Sequence, residues 1–134
     1  MKTNPYIFFD GDCREAFALY EKLLGARVLS LMTYADGPEP NPGMMDKVMH
    51  GRIDVGGTII MASDAPSDRY DKPAGFTLNV DTSSVAEAER VFAGLSEGGT
   101  VRMPIGETFW AERFGMTVDR FGIPWMVNFE KPTE

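Results

Sequence analysis

Apolar and polar residues change their period several times along this chain. Tyr6-Ile7-Phe8-Phe9 is a short aromatic and β-branched run closed by Asp10-Gly11, and it predicts a strand with a turn at its exit. Beyond the turn, Ala16, Phe17, Tyr20, Leu23 and Leu24 recur at helical spacing until Gly25 stops the pattern. Asp12 and Glu15 stand three residues apart as a D-x-x-E capping box, so the helix is predicted to start at Asp12. Arg27 to Tyr34, Val48 to Val55 and Thr58 to Ala62 read as strands, the last two joined through Gly56-Gly57, a dipeptide suited to a tight hairpin. The stretch 35–46 carries Gly37, Pro38, Pro40, Pro42 and Gly43 and predicts a loop, long enough for its size to suggest that it covers a site.

After a stretch rich in Asp, Ser and Pro at 63–73, which reads as a linker, the same order returns. Phe76 to Val80 alternates strictly, placing Phe76, Leu78 and Val80 on one face and Thr77 and Asn79 on the other. Ser84-Val85-Ala86-Glu87 is a second capping box, and Val85, Ala88, Phe92 and Leu95 mark the inner face of a second helix that ends at Gly98-Gly99. Strands are predicted at Thr100 to Met103, around Met116 to Asp119 and at Pro124 to Phe129, with the turn Arg120-Phe121-Gly122 between the last two. Each half is therefore a strand, a capped helix, a glycine stop and three strands. The expected class is α+β, a single domain over 1–134 built from a first βαβββ module at 4–63 and a second at 74–130.

Composition narrows the setting. A chain of 134 residues with 43% hydrophobic and 25% charged residues has ordinary globular composition and can bury one unaided core. The single Cys13 allows no internal disulfide, and no Cys/His cluster offers a structural zinc site, which fits a reducing, cytoplasmic setting. A net charge of −7 argues against a sequence-independent grip on nucleic acid, and no run of apolar residues is long enough for a membrane span, so neither partner is expected.

Several segments together resemble one family. Asn4-Pro5-Tyr6-Ile7-Phe8-Phe9, Cys13-Arg14-Glu15-Ala16, Tyr20, Leu24-Gly25-Ala26, Met49-His50, Ile60-Met61-Ala62-Ser63-Asp64, Glu107-Thr108-Phe109-Trp110 and Asp119-Arg120-Phe121-Gly122-Ile123-Pro124-Trp125 resemble the PhnB-like branch of the glyoxalase/bleomycin-resistance (vicinal oxygen chelate) superfamily. The resemblance implies two βαβββ modules whose curved mixed sheets surround a central cavity, and a homodimer. It also implies, for the superfamily's metal enzymes, four ligands from the first and last strands of each module. Those places fall near Pro5, Met61, Gly75 and Met126, none of which offers the imidazole or carboxylate that a divalent ion prefers, so the usual four-ligand metal site is expected to be absent and the cofactor is left unknown. A methyl-donor cofactor, which some labels of this branch suggest, normally needs a glycine-rich strand–helix turn, and Gly56-Gly57 and Gly98-Gly99 lack that context.

Two residues are candidates for acid/base chemistry. His50 is the only histidine, on a strand where Val48, His50, Arg52 and Asp54 are expected to share a face, and an unperturbed imidazole titrates near neutrality. Glu107 precedes Trp110, and a carboxylate desolvated beside an indole would be a stronger base. The bland alternatives are a strand histidine bonded to a polar neighbour and a loop glutamate beside a core tryptophan. Candidate ligand contacts are Trp110 and Met61 together with Thr77, Asn79, Met126 and Asn128, the mixed face left when Trp125, Val127 and Phe129 pack on the helices. Two functions follow. One is binding of a small apolar or aromatic molecule in the cavity without turnover. The other is a metal-dependent or metal-free lyase, isomerase or dioxygenase using a displaced site at His50 and Glu107.

Overall fold

The structure is a computed structural model that describes residues 1–38 and 41–132, so Glu39 and Pro40 of the 35–46 loop, and with Pro40 one of its breakers, lie outside the described residues. The chain forms two compact units, Met1–Asp71 and the remainder from Lys72. Each is one strand, one helix and three strands.

In the first unit β1 (Tyr6–Phe9), α1 (Cys13–Leu24), β2 (Arg27–Thr33), β3 (Val48–Val55) and β4 (Thr58–Asp64) give a mixed sheet in the order β1-β4-β3-β2. The crossover through α1 makes β1 parallel to β4, while both other pairs are antiparallel. Helix α1 buries Cys13, Ala16, Phe17 and Tyr20 at the predicted spacing. It covers one side of the sheet, because a Cβ added to Gly51 of β3 would strike the Phe17 ring. Residues alternate across a strand, so the register Gly51↔Ala62 and Ile7↔Ala62 places Ile7 and Ala62 on the helix side with Gly51. Their neighbours Tyr6, His50, Arg52 and Met61 then face away from the helix.

One predicted face needs correction. Val48 is 1% exposed, whereas His50 and Arg52 are not buried. The cause is a β-bulge: Met32 pairs with His50 but Thr33 with Val48, so Met49 is an extra residue and Val48 turns inward.

The second unit repeats the topology with β5 (Leu78–Asp81), α2 (Val85–Ser96), β6 (Thr100–Gly106), β7 (Ala111–Val118) and β8 (Pro124–Glu130) in the order β5-β8-β7-β6, with β5 parallel to β8. A Cβ on Gly115 of β7 would strike Phe92 of α2, which fixes the helix side of this sheet. Gly115↔Val127 and Leu78↔Trp125 put Val127, Trp125, Leu78 and Val80 on that side, as the alternation predicted. Phe76 does not join them: β5 begins only at Leu78, and Phe76 is 49% exposed. Strands β6 and β7 run further than predicted, to Gly106 and back to Ala111.

Two buried carboxylates tie the ends of elements together. Asp119 accepts hydrogen bonds from the Phe121 and Ile123 amides at one oxygen and from the Trp125 indole N–H at the other, which builds the turn before β8. Asp64 accepts from the Cys13 amide at the start of α1 and from the Val48 amide. The α1 terminus thus differs from the expected capping box, since Asp12 makes no side-chain cap bond. Helix α2 is capped nearer to prediction: Ser84 accepts from the Glu87 amide, while the Glu87 carboxylate reaches one residue further back to the Ser83 amide.

Candidate functional site

Each sheet has one side covered by its helix and one side that is not, and the candidate residues concentrate on the second. In the first unit, β1 alternates between Ile7 and Phe9, both buried, and Tyr6 and Phe8, 40% and 54% exposed. Aromatic rings this exposed, on a strand whose alternate residues are fully buried, form an apolar surface facing outward from the sheet. Cross-strand register extends it through Met61, the partner of Tyr6, and to His50, whose partner is Met32. The Tyr6 hydroxyl and His50 Nδ1 lie 3.2 Å apart in a hydrogen bond, and the two rings are 5.7 Å apart between centroids. The bland reading of His50, a strand histidine bonded to a polar neighbour, describes this contact.

A cavity of about 340 Å³ opens beside the same surface, lined by Phe8, Tyr34, Ser63, Arg69 and Asp71 among others. Phe8 and Ser63 are cross-strand partners, so the cavity continues the face that carries Tyr6 and Met61. Tyr34 donates its hydroxyl to the Asp64 carbonyl oxygen at 2.8 Å, and burial, reinforced by Asp64 and Tyr6, holds its phenol above the usual value. A second cavity of about 480 Å³ lies at the start of α1, between Asp10, Gly11 and Asp12 and the loop residues Asn41, Met44 and Lys47. The described part of the 35–46 loop therefore walls a cavity. Cys13 beside it is fully buried, and burial, then the Asp64 and Asp12 charges, push its thiol well above the ordinary range, so the thiolate that a helix start favours is suppressed.

In the second unit the helix-free side is organised in rows. Asp81, Asn128 and Phe114 are successive cross-strand partners on β5, β8 and β7; beside them run Asn79, Met126, Met116 and Met103. The Asp81 carboxylate accepts from both the Asn79 and Asn128 side-chain amides. Trp110 packs edge-on against Phe114 at 5.1 Å between centroids, and Phe109 against Trp110 at 4.9 Å. Four of the predicted contacts, Asn79, Met126, Asn128 and Trp110, belong to this side, and Met61 to the corresponding side of the first sheet. Thr77 precedes β5 and donates its hydroxyl to its neighbour's carbonyl, Leu78 O. Sequence reasoning did not single out Tyr6, Phe8 or Asp81. Nothing in β1 itself marks the first two, since all four of its residues are aromatic or aliphatic and their burial alternates only in the structure.

Glu107 does not have the environment expected of it. Its side chain is 66% exposed and pairs with the Lys131 ammonium at 3.0 Å, because it stands between β6 and β7, outside the sheet. Trp110, the neighbour expected to shield it, is itself 40% exposed.

The metal places are also altered by the register. Tyr6 faces Met61, and Asn79, not Gly75, faces Met126. Each unit thus offers a thioether beside a phenol or an amide, which suits a hard or borderline divalent ion poorly. Among the described residues no group of three or more His, Cys, Asp or Glu side chains gathers in a way that could hold a metal ion. No helix among them is long and apolar enough to cross a membrane.

Comparison with known proteins agrees with the architecture. A family described as 3-demethylubiquinone-9 3-methyltransferase matches residues 1–128. The protein YjdN of Escherichia coli is 36% identical over 147 residues, covering all of both chains. The crystal structure of protein PA1353 from Pseudomonas aeruginosa is similar with a TM-score of 0.90 at 45% identity, over 98% of this chain and 99% of that one. The genomically encoded fosfomycin resistance protein FosX of Listeria monocytogenes shares the fold, with a TM-score of 0.65 at 12% identity over 98% and 93% of the two chains.

Proposed function

This chain belongs to the family described as 3-demethylubiquinone-9 3-methyltransferase, the PhnB-like branch of the glyoxalase/bleomycin-resistance superfamily, and from that premise we propose that it binds a small apolar or aromatic molecule on the helix-free sides of its sheets. The observation that carries the proposal is the alternation in β1, where Ile7 and Phe9 are sealed in the core while Tyr6 and Phe8 present half-exposed rings beside Met61 and a cavity of about 340 Å³. A volume of this order suits a drug-sized ligand, and thioether and aromatic walls with few polar groups suit an apolar one.

The family description names a methyltransferase, which would use a methyl-donor nucleoside. The residues present do not fit that group. The turn from β1 to α1 is Asp10-Gly11-Asp12 and the turn from β5 to α2 is Thr82-Ser83-Ser84. Neither is the glycine-rich strand–helix turn that lets a backbone approach such a cofactor, and each sheet has only one parallel pair. No methyl transfer is drawn through them.

A second reading is metal-free acid/base catalysis, favoured by the Tyr6 hydroxyl bonded to His50. In it, the imidazole exchanges a proton with a bound substrate while Tyr6 holds the other ring nitrogen. Glu107, exposed and paired with Lys131, would serve only as a charged group in such a scheme.

The test of the binding proposal is methyl NMR of protein labelled at methionine, titrated with a panel of small aromatic compounds. Saturable shifts at Met32 and Met61, weakened by Phe8→Ala, are the expected result. Methionine signals that do not move across a broad panel would remove the proposal. Turnover of any bound compound that His50→Ala abolishes would favour the second reading.

A further inference from the structure

The cavity of about 340 Å³ beside β1 has unmet polar capacity on its wall and rim, and every residue lining it belongs to the first unit. Ser63 is 5% exposed, and its hydroxyl makes no hydrogen bond among the described residues. The unpartnered side-chain atoms sealed from solvent among those residues are Asp12 Oδ1 and Asn128 Oδ1. The Ser63 oxygen is therefore not sealed: it opens on the cavity that its residue lines. A nearly buried hydroxyl without a partner favours any ligand that supplies one.

Two of the three charged residues of this cavity are open to a ligand. Asp64 is not, because its carboxylate oxygens are taken by the Cys13 and Val48 amides. Arg69, which ends the helical turn Ser67–Arg69 after β4, and Asp71 are both exposed and both line the cavity. The ion pairs among the described residues are Arg113 with Glu89 and Lys131 with Glu107, so Arg69 and Asp71 pair neither with each other nor with a third group there. Tyr34 adds an acceptor, since its hydroxyl hydrogen goes to the Asp64 carbonyl oxygen and leaves only lone pairs to offer. The half-exposed Phe8 ring supplies the apolar wall.

One ligand chemistry uses all of these groups. The donors Ser63 and Arg69 suit a carboxylate, the acceptors Asp71 and Tyr34 suit an ammonium, and Phe8 suits an aromatic ring. A bare anion would meet the charge of Asp71 and a bare cation that of Arg69, whereas a zwitterion carries both signs on neighbouring atoms. We infer that this cavity is a subsite for a zwitterionic aromatic molecule of the α-amino acid type. The inference rests on the proposed ligand-binding function of the helix-free sides and names the class of molecule that the first sheet takes.

The experiment compares L-phenylalanine with 3-phenylpropanoate, which lacks the ammonium, 2-phenylethylamine, which lacks the carboxylate, and 2-phenylethanol, which lacks both, at pH 7, following the Met61 methyl and Phe8 amide signals by NMR. Phenylalanine is expected to bind tighter than each of the others by about fivefold or more, the size of one exposed ion pair. Arg69→Gln should weaken phenylalanine and the propanoate but not the amine, and Asp71→Asn should weaken phenylalanine and the amine but not the propanoate. Ser63→Ala should weaken the two carboxylates and leave the alcohol unchanged, with far-UV circular dichroism to confirm that this variant is folded. Propanoate, amine or alcohol bound as tightly as phenylalanine overturns the zwitterion subsite and leaves the broader proposal standing, as do losses in Arg69→Gln and Asp71→Asn that do not divide by the sign of the probe. Binding of none of the four also overturns the subsite, and if no compound of the wider aromatic panel shifts Met61 either, the binding proposal falls with it.

Discussion

The carboxylate of Asp64, the last residue of β4, accepts the amide of Cys13 at 2.9 Å and so supplies the cap of a helix that begins 51 residues earlier. Its other oxygen takes the Val48 amide at 2.9 Å. A fully buried acceptor of two backbone donors cannot be removed without leaving both unpaired. Asp64→Ala is therefore expected to cost on the order of 3–5 kcal/mol, and Asp64→Asn, which keeps one acceptor oxygen, less. Urea unfolding followed by far-UV circular dichroism measures both. A cost for Asp64→Ala under about 1 kcal/mol would mean that the cap is not supplied from β4.

Asp12 carries the opposite prediction, although it stands where a cap is normally found. It makes no cap bond, one of its oxygens is buried without a partner, and burial raises its carboxyl above the usual value against the lowering effect of its own backbone bond. The nearby charges of Asp64, Glu15 and Asp10 add to the rise. A carboxyl raised in the fold gives stability that is fully present below the unfolded value near 3.8 and is lost as pH rises through the folded value. At pH 7 the charge works against the fold, so Asp12→Asn is expected to raise the melting temperature. Because the group is partly exposed, the gain should stay under about 1 kcal/mol. The difference between variant and parent should disappear toward pH 3, and a variant less stable than the parent at pH 7 would contradict the reasoning.

Local pattern carried most of the fold. Both helices, the hairpin at Gly56-Gly57 and the bounds of β3 follow from periodicity, because apolar spacing and turn glycines are properties of neighbouring residues. The features that were hidden depend on partners far along the chain. Nothing near Asp12 indicates that Asp64 will cap α1 in its place. The bulge at Met49 is a mismatch between β2 and β3, so one strand alone does not reveal that Val48 turns inward. The side-chain alternation of β8 correctly grouped Met126 with Asn128, but the orphaned Asn128 oxygen comes from Asp81, 47 residues away, taking the amide's donor. Glu107 was read as desolvated because Trp110 is its near neighbour in sequence; in space its partner is Lys131.

Two glycines of β6 and its approach should respond in opposite ways to the same added methyl. At Gly99 a Cβ would run into the Val118 carbonyl oxygen and the Asp119 backbone, neither of which can rotate away as a side chain would. Gly99→Ala is expected to destabilise by about 3 kcal/mol or more, or to prevent folding, because the added methyl forces the backbone at the α2–β6 junction apart. At Gly106 the methyl meets open space, and Gly106→Ala should be neutral or stabilising by up to about 1 kcal/mol, since a strand glycine loses more backbone entropy on folding. Thermal unfolding of the pair side by side checks the contrast, and a Gly99→Ala protein as stable as the parent would show that the junction is looser than its geometry indicates.

Glu107 provides the clearest division between the structural and catalytic readings of the loop before β7. Its ion pair with Lys131 is formed by side chains 66% and 36% exposed, so water and salt screen it. Glu107→Gln should change stability by less than about 1 kcal/mol, and the small difference should vanish in high salt. This carboxylate also stands outside the sheet, between β6 and β7, so the substitution should leave ligand affinity and any turnover at His50 within about twofold of the parent. Titration of Glu107→Gln against whichever aromatic compound shifts the Met61 methyl signal supplies the measurement. A large loss of turnover with unchanged affinity would show that Glu107 takes part in chemistry despite its exposure, and would move the functional centre from the sheet to the loop.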